Sequence, residues 1–340
     1  MATKARIIPR SRAADHAGSW QRILAEAVTD VHELLGLLGL AGQADALLTG
    51  LPDFPLRVPR PFLARMRKGD PHDPLLLQVL PRRAELHPAP GFTPDPLQEG
   101  TFMASPGLLQ KYHGRALLTL TGACAVHCRY CFRRHFPYAD ANPVRTHLDT
   151  TLQRLRQDPS ITEVILSGGD PLSLSDERLA ELCEHIGAIA HVQRLRIHTR
   201  LPVVIPERID DSLAGWLTAM PLDTVVVLHV NHPNELDGEL PSRLQWLRRA
   251  TGATLLNQSV LLRDVNDDAG VLADLSERLF AAGVLPYYLH QLDRVQGAAH
   301  FEVPDRDARH LHEALRARLP GYLVPRLVRD RPRARAKIPL

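Results

Sequence analysis

The stretch ALLTLTGACAVHCRYC, residues 116–131, joins an apolar run to a tight group of cysteines. Residues 116–121 are apolar and β-prone, so we predict a buried strand there. Cys124, Cys128 and Cys131 follow at once in a C-x3-C-x2-C spacing, and they are three of the four cysteines in the chain. The predicted unit is therefore a strand that delivers three thiols to the loop at its carboxyl end.

The same strand-like pattern recurs along the rest of the chain. Further apolar runs cover residues 163–168, 195–199, 224–230, 253–259 and 285–290. Helix-like segments follow the six runs, near residues 144–157, 176–190, 207–219, 239–251, 268–282 and 305–318. Strands that alternate with helices indicate βα units and a parallel sheet. Since six units are fewer than the eight of a closed barrel, we predict an α/β fold with an incomplete (β/α)6 barrel. A doubly wound open sheet is the alternative.

The chain before the first run has a different character. Residues 18–48 carry apolar side chains at helical spacing with glycine breaks, and residues 51–100 are rich in proline. A short helix is predicted near 61–68. We divide the chain into an N-terminal helical and proline-rich extension (1–106), the (β/α)6 core (107–320) and a C-terminal segment (321–340).

Composition excludes several classes of protein. The chain has 340 residues, and its net charge of +3 is too small to indicate a nucleic-acid partner. No apolar run is long enough to cross a membrane, and the N-terminus lacks the apolar segment of a secretory signal. Four cysteines do not make a disulfide scaffold. We expect a cytoplasmic protein without nucleic-acid or membrane partners.

Polar side chains follow each predicted strand. They stand in the segments SGGDP (167–171), HTR (198–200), HVNH (229–232), NQS (257–259) and HQLD (290–293). The carboxyl ends of parallel strands meet at one edge of a barrel, where active sites form. The pattern therefore predicts one site that includes the cysteine loop.

The cysteine loop admits several interpretations. The thiols could be buried and inert, could be redox-active, or could bind zinc together with His127 or His135. They could also hold a four-iron cluster, in which case one iron has no protein ligand and can bind a small molecule. The fourth cysteine, Cys183, lies at helical spacing with Leu179 and is predicted to be a core thiol.

The C-x3-C-x2-C loop directly after a strand resembles the signature of the radical S-adenosylmethionine (SAM) enzymes. This resemblance implies a [4Fe–4S] cluster on Cys124, Cys128 and Cys131. In those enzymes SAM binds the open iron, and one electron cleaves it to a deoxyadenosyl radical. SGGDP resembles the superfamily's GGE-type element, which implies that Gly168 and Gly169 approach the methionyl amino group and that Asp170 assists. His229 and Gln258 are further candidates for SAM contacts.

Seven segments, in order, extend the resemblance to one family. They are KYHGRALL, CRYCFRRHFPYA, SGGDPL, RIHTRLPVVIPERI, LLNQSVLLRDVND, YYLHQLDRVQGAAHFEV and AKIPL. From about residue 20 to the C-terminus, the chain resembles the lysine 2,3-aminomutase family. It is most similar to the short bacterial branch that makes β-lysine for modifying elongation factor P. The end of the chain three residues after Lys337 is what we expect of that branch.

The family resemblance also implies roles for particular residues. Lys337 would form the Schiff base with pyridoxal 5′-phosphate (PLP), and Lys111 and Arg115 would contact the PLP phosphate. The segment RPRARA before Lys337 lacks the glycine that the family usually has there. The substrate's α-carboxylate would pair with Arg133. Its side-chain ammonium would lie between Asp293 and Asp330.

The implied reaction moves the amino group of L-lysine from C2 to C3 and gives β-lysine, with the R form expected. The implied partners are a one-electron donor of the flavodoxin or ferredoxin type, elongation factor P and its lysine ligase. The sequence is also compatible with a homo-oligomer. Two alternatives stay open at this point. One is a radical SAM enzyme that does not use PLP or acts on another amino acid, and the other is a non-catalytic iron–sulfur or zinc protein.

Overall fold

The computed structural model describes residues 19–44, 54–138 and 148–340. Its described part contains a ten-stranded sheet whose strands are neighbours in chain order. The strands are β1 (Met103–Ser105), β2 (Leu108–Leu109), β3 (Arg115–Thr119), β4 (Glu163–Ser167), β5 (Arg194–Thr199), β6 (Asp223–Leu228), β7 (Thr254–Leu261), β8 (Leu285–Gln291), β9 (Arg326–Arg329) and β10 (Ile338–Pro339). Strands β3 to β9 are parallel, whereas β1, β2 and β10 pair antiparallel at the two edges. The sheet is therefore an open, partial barrel.

Helices cover the outside of the sheet and build the extension before it. They are α1 (Ser19–Ala25), α2 (Val31–Leu37), α3 (Arg60–Leu63), α4 (Pro74–Leu77), α5 (Leu148–Gln157), α6 (Asp176–Gly187), α7 (Leu201–Val204), α8 (Asp211–Ala219), α9 (Leu240–Thr251), α10 (Ala269–Ala281) and α11 (Asp305–Arg318). Local sequence fixes several ends: Asp268 caps α10 by accepting from Val271 N at 2.9 Å. None of the helices in these described ranges is both long and apolar enough to cross a bilayer.

The six predicted strands are present as β3 to β8, and the prediction of an incomplete parallel barrel is confirmed. A seventh parallel strand, β9, was not predicted. It has four residues, of which only Leu327 and Val328 are buried, and arginines stand on both sides of them. A run this short and this basic gives no strand signal in the sequence. Its consequence is functional, because β9 ends directly before Asp330.

Strand β7 shows how the barrel interior differs from a packed core. Its burial alternates, with Leu255 and Leu261 buried and with Gln258 and Val260 half-buried. Gln258 and Val260 line an internal cavity. The barrel therefore keeps open space inside, where its polar strand residues can meet a ligand.

The extension packs onto the barrel instead of standing apart. The predicted helical stretch 18–48 consists of α1 and α2 in its described part, and its residues after 44 lie outside the described residues. The break between the helices arises because Val28 forms a β-bridge with Val58. The helix predicted near 61–68 is α3. Buried side chains of the extension and of the barrel belong to one hydrophobic cluster, including Trp20, Leu35, Leu75, Leu118 and Leu120. Cys183 lies fully buried in the same cluster, as predicted.

Candidate active site

One cavity of about 500 Å³ inside the barrel brings all the predicted site residues together. It is lined by Lys111, Arg115, Cys124, Cys128, Cys131, Arg133, Gly168, Gly169, Asp170, His229, Gln258, Asp293, Asp330 and Lys337, among others. Most of these residues come from the loops after β3, β4, β6, β8 and β9, whereas Arg115 and Gln258 lie in β3 and β7 and Lys111 precedes β3. The predicted single site is therefore present as a place in the structure, whereas the roles of its residues stay predictions.

The three cysteines are free, half-buried thiols that share this cavity. Burial, together with the neighbouring Cys128, raises the pKa of the Cys131 thiol to about 11. Within the described residues, no three His, Cys, Asp or Glu side chains converge as the ligands of a single metal ion do. Separate thiols around open space suit a cluster, because each thiolate then binds a different iron. The donor set fits a [4Fe–4S] cluster.

Two glycines shape the loop that carries these cysteines. Gly168 has φ +128°, and a Cβ on Gly169 would lie 2.4 Å from Ala123 O. Gly169 N donates to Thr121 O at 2.6 Å, and Asp170 N donates to Ala123 O at 2.8 Å. The glycines were predicted to let a ligand approach. In the structure, the chain's own backbone before Cys124 makes that close approach, so the glycines seat the cysteine loop.

Asp170 was predicted to assist SAM, but its carboxylate is occupied by the protein. It is buried and accepts from Thr199 Oγ1 (2.7 Å) and from three backbone N–H groups. Those N–H groups belong to Leu172, Arg200 and Leu201 at 3.1, 2.7 and 2.8 Å. The side chain thus ties the loop after β4 to the start of α7, and direct contact with SAM stays a prediction.

Arg133 is held by a residue that the sequence did not single out. Its Nε and Nη2 donate to the two carboxylate oxygens of Glu99, both at 2.7 Å. Its Nη1 donates to Ser167 Oγ at 3.1 Å and lies 3.3 Å from Gly168 O. This fork fixes the guanidinium at the cavity wall, next to the glycine pair. Since Glu99 is itself a carboxylate, the guanidinium already has the orientation that bidentate carboxylate binding needs.

Asp330 joins three polar groups across the open side of the barrel. It accepts from Lys111 Nζ at 2.5 Å, from Tyr112 OH at 2.8 Å and from Lys337 Nζ at 3.2 Å. Burial alone would raise the pKa of Asp330, but Lys337 and Lys111 lower it below its ordinary value. Lys111, predicted to contact the PLP phosphate, is therefore paired with a predicted substrate ligand.

The loop before Lys337 adopts a tight turn despite its lack of glycine. Arg333 has φ +60°, a left-handed conformation that glycine adopts at less cost. Ile338 and Pro339 then pair antiparallel with β9, which places Lys337 beside Asp330. Arg115 contacts the same region, and its guanidinium lies over the Tyr112 ring at 5.3 Å. PLP requires cations for its phosphate and an amine for its Schiff base. Lys111 and Arg115 can supply the cations and Lys337 the amine, so the residues fit that cofactor.

Asp293 stands in this cavity without a hydrogen bond to its carboxylate from any described residue. Burial raises its pKa to about 7, although Lys337 partly opposes this shift. A carboxylate in such surroundings gains strongly from a cation beside it.

His229 and Gln258 form a pair at the cavity wall. Gln258 Nε2 lies 2.6 Å from His229 Nε2. Burial and the nearby Arg200 and Arg133 lower the pKa of His229 to about 3. The imidazole is therefore neutral, and with the amide donating to Nε2 the ring proton lies on Nδ1.

Sequence reasoning missed several residues of this cavity. Tyr138 OH donates to Gly168 O at 3.0 Å, and Arg200 contacts Cys128. The signal for Arg200 was present, since it belongs to the polar segment HTR after β5. Glu99 lies in the proline-rich extension, where no periodic pattern points to a site.

Comparison with known proteins agrees with this geometry. The family model described as the Radical SAM superfamily matches residues 118–256, from β3 into β7. The open parallel barrel and the cysteine loop after β3 are thus those of a radical SAM protein. A solved radical SAM methyltransferase from Sphaerobacter thermophilus superposes with a TM-score of 0.47 at 17% identity, covering 65% of this chain and 68% of that one.

Full-length relatives define the family more closely. The chain is 51% identical over 324 residues to the L-lysine 2,3-aminomutase of Escherichia coli (strain K12), covering 94% of both chains. It is 47% identical to that of Haemophilus influenzae, covering 96% of both. It is 38% identical to that of Clostridium subterminale, covering 82% of this chain and 67% of the relative. The chain belongs to the L-lysine 2,3-aminomutase family. It is accordingly an isomerase that uses a [4Fe–4S] cluster, SAM and PLP.

Proposed function

We propose that this protein converts L-α-lysine to β-lysine by moving the amino group from C2 to C3, with the R form as product. One observation carries the proposal: a fixed arginine, Arg133, and two carboxylates, Asp293 and Asp330, line the same cavity as the three cysteines. Lysine presents a carboxylate at one end and an ammonium at the other. Glu99 occupies the Nε–Nη2 fork of Arg133 in the structure, so the substrate carboxylate would replace Glu99 there, and the two aspartates would accept the ammonium.

The cofactors would divide this cavity between them. We assign the cluster to Cys124, Cys128 and Cys131, and SAM to the wall formed by Gly168, Gly169, Asp170, His229 and Gln258. PLP would be held by Lys337, Lys111 and Arg115. When bound, the cluster and SAM supply the radical that removes hydrogen from C3, and PLP supplies the group through which nitrogen migrates.

The side chains then have defined tasks. Arg133 binds the substrate carboxylate and so fixes C2 and C3 at one place beside the cysteine loop. Asp330 already binds the ammonium of Lys337, and the substrate ammonium would replace Lys337 as its cation. Asp293 contributes a second negative charge without a protein partner in the described part of the chain. Close positioning of this kind is the main contribution that a protein makes to radical chemistry.

The wider role rests on the resemblance to the branch that serves elongation factor P. We infer that the product is handed to the ligase that attaches β-lysine to elongation factor P in the cytoplasm. A flavodoxin or ferredoxin would supply the electron. The first of these assignments predicts that the product, the ligase and elongation factor P together give a modified factor, detected as a mass shift on one lysine. As a control, synthetic (R)-β-lysine replaces the product in the same mixture. If the synthetic compound gives the mass shift and the product does not, this role is refuted.

The substrate assignment is tested with a panel of amino acids. The protein is purified anaerobically, loaded with iron, sulfide and PLP, and given SAM and a reductant. We expect turnover of L-lysine and none of L-glutamate, whose side-chain carboxylate would face Asp293 and Asp330. Conversion of L-glutamate but not of L-lysine would overturn the substrate assignment. A colourless protein that contains zinc instead of about four irons per chain would support the non-catalytic alternative.

A further inference from the structure

Arg200 makes a buried contact with one of the proposed cluster ligands. It directly follows β5, and its Nη1 donates to Cys128 Sγ at 2.8 Å. The same nitrogen contacts Tyr130 OH, two residues further along the cysteine loop. Arg200 is 5% exposed, so water does not screen this charge from the sulfur.

The other side of the guanidinium is fixed by two residues from distant parts of the chain. Nη2 donates to Gln78 Oε1 at 2.8 Å and to Glu235 Oε2 at 3.0 Å, and both partners are fully buried. Gln78 belongs to the extension, and Glu235 belongs to the loop after β6. The backbone N–H of Arg200 donates to Asp170 Oδ2 at 2.7 Å. Arg200 is therefore held on three sides, with its Nη1 directed at Cys128.

A second amide closes this network. Asn231 Nδ2 donates to Gln78 Oε1 at 2.9 Å and to Tyr130 OH at 2.6 Å. A connected polar network in a dry interior holds its members in one arrangement. Among the described residues, Glu235 is the only carboxylate that the Arg200 guanidinium contacts, so one negative charge pairs with this guanidinium before the thiolate is counted.

We propose that Arg200 is a positioning residue that fixes Cys128 and raises the reduction potential of the cluster bound there. The inference rests on the proposed function only through the assignment of the cluster to the three cysteines. Reduction adds one electron, taken from the external donor, and no bond forms or breaks in that step. A positive charge and a hydrogen bond at a ligand sulfur stabilise the more negative, reduced form. The potential is thus tuned by a residue that touches neither SAM nor substrate in this account.

The test is a redox titration of the reconstituted protein without SAM, followed by electron paramagnetic resonance of the reduced cluster. We expect Arg200→Gln to shift the midpoint potential to a more negative value, and Arg200→Lys, which keeps the charge, to shift it less. Arg208→Gln is the matched control. Arg208 is also buried and pairs with Asp176 at 2.7 Å, and its side chain bonds to no cysteine among the described residues. Arg208→Gln is therefore expected to leave the potential unchanged.

An iron-replete Arg200→Gln protein with the wild-type potential would overturn the proposal. If Arg200→Gln does not load iron, the midpoint potential of Glu235→Gln tests the proposal instead, because this variant removes the negative charge that opposes Arg200. Its potential is expected to shift to a more positive value, and an unchanged or more negative value would overturn the proposal. A wild-type chain that binds no cluster would instead refute the proposed function. The two failures are thus distinguishable.

Discussion

Lys337 Nζ lies 3.2 Å from Asp330 Oδ2, which pairs the proposed PLP lysine with a proposed substrate ligand. The two residues are brought together by the β9–β10 hairpin, in which Ile338 stands opposite Arg329. The Lys337 side chain lines the cavity and is half-buried. The pair therefore explains how a lysine in an arginine-rich tail can serve a buried site.

The assignment of PLP to Lys337 predicts the site of covalent trapping. Borohydride reduction of the PLP-loaded protein should leave a pyridoxyl group on the peptide that contains Lys337, as found by mass spectrometry. Lys337→Ala should abolish trapping and activity together. Lys68→Ala, a change at an exposed lysine outside the cavity, should leave both intact. A Lys337→Ala variant with full activity would rule out this assignment.

Asp293 predicts a pH dependence of substrate binding. Because burial raises its pKa to about 7, the carboxylate is neutral below that pH and negatively charged above it. The KM for L-lysine should therefore fall as pH rises through about 7. Asp293→Asn should remove this dependence and raise the KM by about tenfold to a hundredfold, the effect of losing one hydrogen bond to a charged group. Asp307→Asn, outside the cavity, should keep the wild-type profile. A wild-type pH profile in Asp293→Asn would exclude Asp293 as an ammonium ligand.

The fork of Arg133 predicts how the substrate carboxylate is recognised. Arg133→Lys keeps the charge but loses bidentate geometry, so the KM for L-lysine should rise about tenfold. The inhibition constant of 1,5-diaminopentane, which is lysine without its carboxylate, should stay unchanged. Arg134→Lys is the control, because Arg134 pairs with Glu85 and does not line the cavity. Equal losses for lysine and for the diamine would contradict the role given to Arg133.

The close contact between Gly169 and the backbone just before Cys124 predicts the effect of adding a single methyl group at Gly169. A Cβ at Gly169 would lie 2.4 Å from Ala123 O, and shifting this backbone to relieve the clash would cost free energy. Gly169→Ala should lower the free energy of unfolding by about 1–3 kcal/mol or more and should reduce the iron bound per chain. Gly215→Ala provides the comparison, since its Cβ would meet nothing within 4 Å and helix α8 should gain about 0.5–1 kcal/mol. Full iron content in Gly169→Ala would show that the loop does not depend on this seat.

The sequence predicted the parts of the fold that have strong periodic or spacing signals. Strands β3 to β8 are apolar runs between helices, and the C-x3-C-x2-C loop is a dense local pattern. Strand β9 was missed because two buried residues between arginines do not form a pattern. We predicted the division into extension and core from composition. The hydrophobic cluster that both parts share was not predicted, because it depends on contacts between residues far apart in the chain.

The side chains of the site show the same limit of prediction from sequence. Residue types and order led to Arg133, Asp293 and Lys337 as candidates, but not to the groups that hold them. Glu99 lies 34 residues from Arg133 in the chain, and Gln78 lies 122 residues from Arg200. Pairs so far apart arise from tertiary packing, and one sequence contains no local trace of them.

The most direct test of the central claim is chiral analysis of the product made from L-lysine under strictly anaerobic, reducing conditions. The protein must carry iron, sulfide and PLP and be supplied with SAM. The proposed function predicts β-lysine, with the R form predominating, and no product when SAM or PLP is withheld. Unchanged L-lysine from a preparation with full iron and PLP content would contradict it.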